Sequence, residues 1–240
     1  MNKEIRISLA GIPIAVYSEN AFMARFCRDY LTDEEPLFSV RSSGEAVAVE
    51  VKNAPEPVSF EYAEALCLYR EMAERLPLYD RAVFHGAAIE YGGKAYLFTA
   101  PSGTGKTTHI ALWRQYLGDR VRIINGDKPV LRFTGSGFTV YGTPYAGKEG
   151  WQRNVSAPLA GICFLSQGNE NVIRKEKNGS FTGLFQQTYR PHEKETMQKT
   201  IALVKALCCV PCFALSCDIS ESAVKCSFEA LTGLNYEGMK

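Results

Sequence analysis

The chain has 240 residues, of which 46% are hydrophobic, and its formal net charge is +1. Its length and hydrophobic share are enough for one sizeable α/β domain or a domain with a small lobe, and they exclude global disorder. The balanced charge gives no reason to expect a nucleic-acid partner, and with no apolar run long enough for a membrane span and no secretory signal pattern we expect a cytoplasmic protein without a membrane partner.

Residues 1–80 are predicted to form a small N-terminal α+β lobe. A helix is predicted over 60–76, where aromatic and apolar residues form one stripe, and a proline-containing break at 53–57 precedes it. The elements predicted before that break are strands over 5–9, 12–17, 37–41 and 46–51, with the last two paired as a hairpin, and a helix over 21–31.

Residues 81–240 are predicted to form the core of the protein. The predicted elements are strands over 82–91, 95–99, 121–124, 130–133, 138–141, 159–165 and 212–216, helices over 107–116 and 196–209, a polar loop over 142–154, and a last helix opened by a capping box at Asp218 and Glu221. Hairpins outnumber strand–helix–strand crossovers. The fold is therefore predicted to be α/β with a mixed, largely antiparallel sheet, and not a doubly wound parallel sheet.

One motif carries most of the functional information. The sequence Ala-Pro-Ser-Gly-Thr-Gly-Lys-Thr-Thr at 100–108 follows a predicted strand and opens a predicted helix, which is the setting of a phosphate-binding loop; the alternative is a plain glycine-rich turn. Lys106 would reach the β- and γ-phosphates of a nucleoside triphosphate, and the Thr107 hydroxyl would bind Mg²⁺. The residues predicted to bind the phosphates are Ser102, Gly103, Thr104, Gly105, Lys106, Thr107 and Thr108.

Four further side chains are candidates for the chemistry. Asp127 follows a predicted strand and could hold Mg²⁺, although Asn-Gly-Asp is also a common turn. His85 is equally compatible with an active-site and a core position, and the neighbouring Gly86 permits a close approach. Lys148 could neutralise phosphate charge and Glu149 could bind metal or act as a base, unless their loop is simply a solvated surface loop.

The chain contains eight cysteines, five of them from Cys208 onward. Cys209 and Cys212 have the spacing of a metal or redox pair. Without a second such pair or a nearby histidine, buried free thiols that pack as small hydrophobic groups are the favoured interpretation.

Together these segments resemble the phosphoenolpyruvate carboxykinase-like P-loop fold, which includes the catalytic domain of HPr kinase/phosphorylase. The resemblance extends over about 81–165. It rests on the sequence Ser-Gly-Thr-Gly-Lys-Thr-Thr at 102–108, on Phe-His-Gly-Ala at 84–87 before a hairpin, on Asn-Gly-Asp-Lys-Pro at 125–129, and on Gly-Thr-Pro-Tyr-Ala-Gly-Lys at 142–148. The last segment is similar to a loop of small HPr kinase-related proteins, some of which phosphorylate a serine of a peptide.

The resemblance implies ATP and Mg²⁺, with Lys106 on the phosphates, Thr107 and Asp127 at the metal, and His85 near the attacking hydroxyl. Gly126 departs from the family, which has an aspartate there that acts as general base in HPr kinase. Either Glu149 or His85 takes that role, or positioning suffices, since phosphoryl transfer depends chiefly on geometry and charge neutralisation.

We therefore expect an ATP- and Mg²⁺-dependent phosphotransferase that acts on a hydroxyl of a peptide, a small protein or a small molecule, with a peptide or protein serine favoured and the N-terminal lobe helping to hold the acceptor. The alternatives are a nucleotide-binding module without transferase activity and, ranked last, a small carboxykinase. The sequence leaves open whether the chain forms a homo-oligomer.

Overall fold

The N-terminal part of the chain is built on a three-stranded sheet. The computed structural model of the protein describes residues 3–18, 20–54, 56–176 and 180–238. Strands β1 (Lys3–Leu9) and β2 (Ile12–Ser18) form an antiparallel hairpin. The chain then passes through helix α1 (Phe22–Phe26), and strand β3 (Phe38–Arg41) lies parallel to β2.

Two longer helices follow this sheet, α2 (Gly44–Asn53) and α3 (Phe60–Arg75). Helix α3 buries an apolar face against the strands, where Leu68 and Met72 are completely buried. The same cluster includes buried residues from the second part of the chain, namely Val83, Val130 and Tyr145. The N-terminal region therefore packs on the core through a shared apolar cluster, and the domain boundary near residue 80 stays a prediction.

Two predictions for this region are wrong. The segment 46–51 is not a strand but lies within α2, because the Ser43 hydroxyl accepts the Ala46 amide at 3.1 Å and so caps a helix that begins at once. The helix predicted over 21–31 ends at Phe26, since Cys27 leaves the helical backbone conformation and a 3-10 turn follows.

The second part of the chain forms a mixed sheet of nine strands. Its strands are β4 (Arg81–Val83), β5 (Ala87–Tyr91), β6 (Lys94–Thr99), β7 (Val121–Asn125), β8 (Val130–Phe133), β9 (Phe138–Tyr141), β10 (Ser156–Gln167), β11 (Val172–Glu176) and β12 (Cys212–Cys217). The spatial order is β4-β8-β9-β10-β6-β5-β7, and β12 pairs with both β10 and β11. Most neighbours are antiparallel, whereas β10 runs parallel to β6 and to β12, so the prediction of a mixed α/β fold is confirmed.

Helices cover both faces of this sheet. They are α4 (Lys106–Leu117), α5 (Phe181–Gln187), α6 (Lys194–Leu207) and α7 (Glu221–Thr232). Because side chains alternate along a strand, Phe98 of β6 packs in one cluster with α4 and α7, while its neighbour Leu97 packs in another with α5 and α6. Because β10 runs parallel to β6, the carboxyl ends of both strands lie at the same edge of the sheet, where the chain passes from β6 toward the start of α4.

Two further predictions need correction. The strand predicted over 82–91 is two strands that join different neighbours, because the chain bends between Val83 and Ala87. The last helix is capped by Ser220, whose hydroxyl accepts the Ala223 amide at 3.3 Å, and not by Asp218, whose carboxylate instead accepts from Asn171 and Ser220.

The cysteines are free thiols. Cys212 is buried and Cys209 is exposed, so the two sulfur atoms of the CxxC segment do not share an environment. Within the described ranges no group of three or more histidine, cysteine, aspartate or glutamate side chains could hold a metal ion. None of the helices in these ranges combines the length and apolar character that a membrane crossing requires.

Candidate functional site

A glycine-containing loop, residues 100–105, joins β6 to α4 and is called the phosphate loop below. Gly103 and Gly105 have φ values of 78° and 107°, a region that strains other residues. No side chain caps the start of α4, so its first amides remain available to an anion. The strand, loop and helix therefore stand in the predicted order.

The Lys106 side chain folds back over this loop. Its ammonium group donates to the carbonyl oxygens of Ala100 at 2.9 Å and Pro101 at 3.2 Å. Burial lowers the pKa of Lys106, the Asp127 carboxylate opposes that shift, and Lys128 adds to it. The cation is thus held at the start of α4, beside the free amides.

Asp127 is oriented by a hydrogen-bonded turn at the end of β7. The Asn125 side-chain oxygen accepts the amides of Asp127 at 2.9 Å and Lys128 at 2.7 Å. The Asn125 amide nitrogen donates to the carbonyl of Thr143 at 3.0 Å, and Asn125 is completely buried. This Asn125–Thr143 contact fixes the turn against the next loop, and the Asp127 carboxylate pairs with the Lys128 ammonium.

Gly126 is a point of close approach. A Cβ atom at this position would lie 2.8 Å from the backbone oxygen of Ala146, nearer than real Cβ contacts allow. The loop predicted as polar over 142–154 is buried only over 142–146; this part packs tightly on the turn, and Tyr145 within it is 2% exposed and stacks on Tyr69 with ring centroids 3.8 Å apart. Burial of the Tyr145 ring holds this part of the loop against the core, although polar residues surround it in the sequence.

His85 lies in the bend between β4 and β5, not on a strand. Its Nδ1 is 2.9 Å from Gln187 Oε1, and its Nε2 is 3.5 Å from an Asp127 carboxylate oxygen. Burial, followed by the charge of Lys106, lowers the pKa of His85, although Asp127 acts in the opposite direction. The lowered pKa favours the neutral imidazole, and in the tautomer whose Nδ1–H donates to Gln187 Oε1, Nε2 is the proton acceptor and lies beside Asp127.

These groups meet in one cleft of about 440 Å³, called the phosphate cleft below. The structure brings into it each of the predicted catalytic side chains and most of the predicted loop residues: His85, Ser102, Gly103, Gly105, Lys106, Thr107, Thr108, Asp127, Lys148 and Glu149. Thr104 is the exception, because its hydroxyl donates to the Pro101 carbonyl and the residue lines a neighbouring cleft. Gly86, the residue after His85, brings its backbone close to the Phe98 carbonyl.

Lys148 and Glu149 lie at the exposed rim of the phosphate cleft. The Lys148 ammonium donates to both carboxylate oxygens of Glu56 at 2.6 Å. Glu56 belongs to the segment between α2 and α3, so this ion pair connects the rim to the N-terminal region.

Comparison with known proteins adds little to this picture. No protein-family model and no curated protein matches the sequence. Among solved structures, the chain is similar to the Hpr(Ser) kinase/phosphatase from Coxiella burnetii, with 12% identical residues, 51% of this chain and 88% of that chain covered, and a TM-score of 0.29. A likeness this distant assigns neither a fold family nor an activity, so the geometry of the cleft must carry the functional argument.

Sequence reasoning missed the residues that position the site. Gln187 is 102 residues from the histidine it contacts, and Thr143 is 18 residues from Asn125. Nothing local in the sequence announces such contacts. Asn125 itself had a usable signal, since asparagine before glycine commonly accepts amides two and three residues ahead.

Proposed function

We propose that the protein is an ATP- and Mg²⁺-dependent phosphotransferase that acts on a hydroxyl acceptor, with a serine of a peptide or small protein as the favoured acceptor. One observation carries the proposal, namely the convergence of the phosphate loop, Lys106, Asp127 and His85 on a single cleft. The alternative of a plain glycine-rich turn does not explain why a carboxylate and an imidazole line the same cleft as the loop.

The cleft suits a triphosphate with its metal. Lys106 and the free amides of α4 offer positive charge to the phosphate oxygens. Mg²⁺ in nucleotide sites takes one or two protein ligands and fills the rest of its shell with phosphates and water, so the Thr107 hydroxyl and the Asp127 carboxylate form a fitting donor set. The ion would neutralise charge that develops on the transferred group.

Activation of the acceptor falls to His85 in this proposal. Gly126 supplies no carboxylate, and the His85 imidazole, whose pKa is lowered and whose Nε2 lies 3.5 Å from an Asp127 oxygen, would take the proton of the acceptor hydroxyl. A small pocket of about 210 Å³ opens onto His85 from the side of α3, between Tyr69 and Tyr189. The acceptor hydroxyl would enter from this side, with the N-terminal region forming one wall.

The decisive experiment is transfer of the γ-phosphate to a panel of serine-containing peptides and small hydroxyl compounds, followed by mass spectrometry. Lys106→Ala should abolish transfer, whereas Lys94→Ala, an exposed lysine on β6, should leave it unchanged. Equal behaviour of the wild type and Lys106→Ala toward every acceptor, with both proteins folded by circular dichroism, would sink the proposal.

The role of His85 has its own test. His85→Asn should slow transfer about 100-fold or more while ATP still binds, as expected for the loss of a general base. Because the pKa of His85 is lowered from its ordinary 6.5, the wild-type rate should fall only at pH values below about 6.5. Retention of both the rate and the acid limb in His85→Asn would move the role to Glu149, for which Glu149→Gln is the matching variant.

A nucleotide-binding module without transferase activity is the second candidate, and Gly126 favours it. Tight ATP binding without turnover on any acceptor would support this candidate. Gly126→Asp is not expected to create activity, because its Cβ would meet the Ala146 carbonyl at 2.8 Å and displace the loop. The small carboxykinase ranks last, and an assay with oxaloacetate, ATP and Mn²⁺ tests it directly.

A further inference from the structure

A second large cleft lies on the other side of the phosphate loop. It has a volume of about 750 Å³ and shares Gly103, Gly105 and Thr108 with the phosphate cleft. From these residues it extends over α4 to the carboxyl ends of β10 and β12, where Gln167 and Asp218 line it. A ligand that fills one cleft can therefore continue into the other across the loop.

The two clefts differ in charge. The phosphate cleft presents Lys106 and Lys148, whereas no lysine or arginine lines the second cleft and Asp218 is its one carboxylate among the described residues. His109 also lines the second cleft, but burial lowers its pKa to about 4, so it is uncharged at neutral pH. Among its described lining residues the second cleft therefore offers no cation to further phosphate groups, and it suits an uncharged part of a ligand.

The walls of the second cleft suit a flat, partly polar ring. Leu112 and Leu165 form an apolar floor, and Ile219 stands at the mouth with 77% of its surface exposed. An exposed isoleucine that lines the same cleft as these leucines buries apolar surface when a ring occupies the cleft.

A polar group of this wall also lacks a partner. His109 is 3% exposed, and its Nε2 lies 3.0 Å from Ser227 Oγ. Its Nδ1 is buried and has no hydrogen-bond partner within the described ranges. Whichever tautomer is present, this buried nitrogen is a donor or an acceptor without a partner, on a residue that lines the cleft.

We propose that the second cleft binds the base and ribose of the nucleotide whose phosphates occupy the phosphate loop. The proposal rests on the proposed function, since it presumes a nucleotide at the loop. It assigns recognition of the nucleoside to Ile219, Leu112, Leu165 and Gln167, none of which the sequence motif includes.

Calorimetric titration with ATP and with inorganic tripolyphosphate, both with Mg²⁺, separates the two clefts. Ile219→Ala should weaken ATP binding about tenfold, because most of an apolar side chain leaves the contact, and should leave tripolyphosphate binding unchanged. Ile219→Leu should bind ATP like the wild type. Leu234→Ala, at another exposed apolar residue outside both clefts, is the matched control and should change neither affinity.

A second readout needs no substitution. Cys217 lines the second cleft and is half-buried, and its alkylation by N-ethylmaleimide can be followed by mass spectrometry. ATP should slow the reaction of Cys217, tripolyphosphate should not, and the exposed Cys209 should react equally in both.

The outcomes distinguish the two proposals. If ATP and tripolyphosphate both bind, but Ile219→Ala binds ATP normally and ATP leaves Cys217 reactive, binding of the nucleoside in the second cleft is refuted while the proposed function stands. If neither ligand binds to the wild type, the proposed function fails and the nucleoside cleft fails with it.

Discussion

The two clefts beside the phosphate loop are held together in different ways. On the nucleoside side, α4 and α7 pack through rings, with Trp113 centred 5.7 Å from Phe98 and 5.6 Å from Phe228. On the phosphate side, hydrogen bonds between distant loops place the functional groups, as Asn125 does with Thr143. Apolar packing therefore supports the second cleft, whereas polar contacts orient the functional side chains of the phosphate cleft.

The difference separates stability from positioning. Burial of large apolar surfaces stabilises a fold without requiring one particular orientation of a polar atom. A buried amide, by contrast, contributes about 1 kcal/mol net but leaves its partners unsatisfied when it is removed. We therefore expect damage on the nucleoside side to lower stability, and damage on the phosphate side to lower activity as well.

Trp113→Ala should have the largest effect on stability. Trp113 is completely buried, and removing such a ring from a packed core costs about 3–5 kcal/mol of unfolding free energy. Chemical denaturation measures this loss, and Gln115→Ala, an exposed position on the same helix, should cost little. Transfer activity per folded molecule should change only a few-fold, so a selective loss of activity without loss of stability would break the comparison.

Acid should have the second-largest effect on stability, through His109 beside the second cleft. The unfolded chain protonates histidine near pH 6.5, but burial keeps His109 neutral until about pH 4. The unfolded state therefore binds more protons in that window, and this group contributes stability that is present above pH 6.5 and falls by about 1.4 kcal/mol per pH unit below it, or about 3 kcal/mol at pH 4. Denaturation curves recorded from pH 7 to pH 4 should show this slope in the wild type and a reduced slope in His109→Phe; equal slopes would contradict the buried, neutral imidazole.

Asn125→Asp tests the phosphate side. The carboxylate can still accept the amides of Asp127 and Lys128, but it faces the Thr143 carbonyl and hydroxyl oxygens where an N–H donated before. We expect a loss of about 2 kcal/mol of stability from the unsatisfied contact, and transfer at least about tenfold slower because Asp127 shifts. Thr143→Ser keeps both oxygens and should transfer phosphate like the wild type, with a loss of only about 0.8 kcal/mol of stability from its buried methyl group. A variant with normal activity would show that the Asn125–Thr143 contact does not position Asp127.

The sequence predicted the nucleoside wall better than the phosphate wall. The strand over 159–165 follows from a near-continuous apolar run, which is typical of a central strand, and the helix over 107–116 follows from its place after the phosphate-loop motif. The convergence of His85 on Asp127 depended on a resemblance, since the bend that takes His85 out of the strand arises from pairing with β8 on one side and β6 on the other. Local propensity does not encode which strands become neighbours.

The N-terminal region shows the same limit in another form. The alternating valines over 46–51 have the period of a strand, yet Ser43 caps a helix there and leaves Val49 51% exposed. Local capping by Ser43 prevailed over the alternating pattern of the valines. Likewise, the first part of the polar loop, residues 142–146, is buried, and Tyr145 within it stacks on Tyr69 of α3.

The smallest effect is expected at the rim that joins the two halves of the chain. The Lys148–Glu56 pair is mostly exposed, with side-chain exposures of 77% and 65%, so Glu56→Gln should change stability by less than about 0.5 kcal/mol. Freed from its carboxylate, the Lys148 ammonium can turn toward a triphosphate in the phosphate cleft, and we expect ATP to bind about two- to threefold more tightly at low salt, with the gain lost at high salt. Titration calorimetry at two salt concentrations measures this change, and Glu45→Gln, an exposed glutamate on α2, controls for the loss of one negative charge. Weaker ATP binding in Glu56→Gln would mean instead that the ion pair holds the rim in its binding position, and Lys148 would then belong with the positioning contacts of the phosphate side.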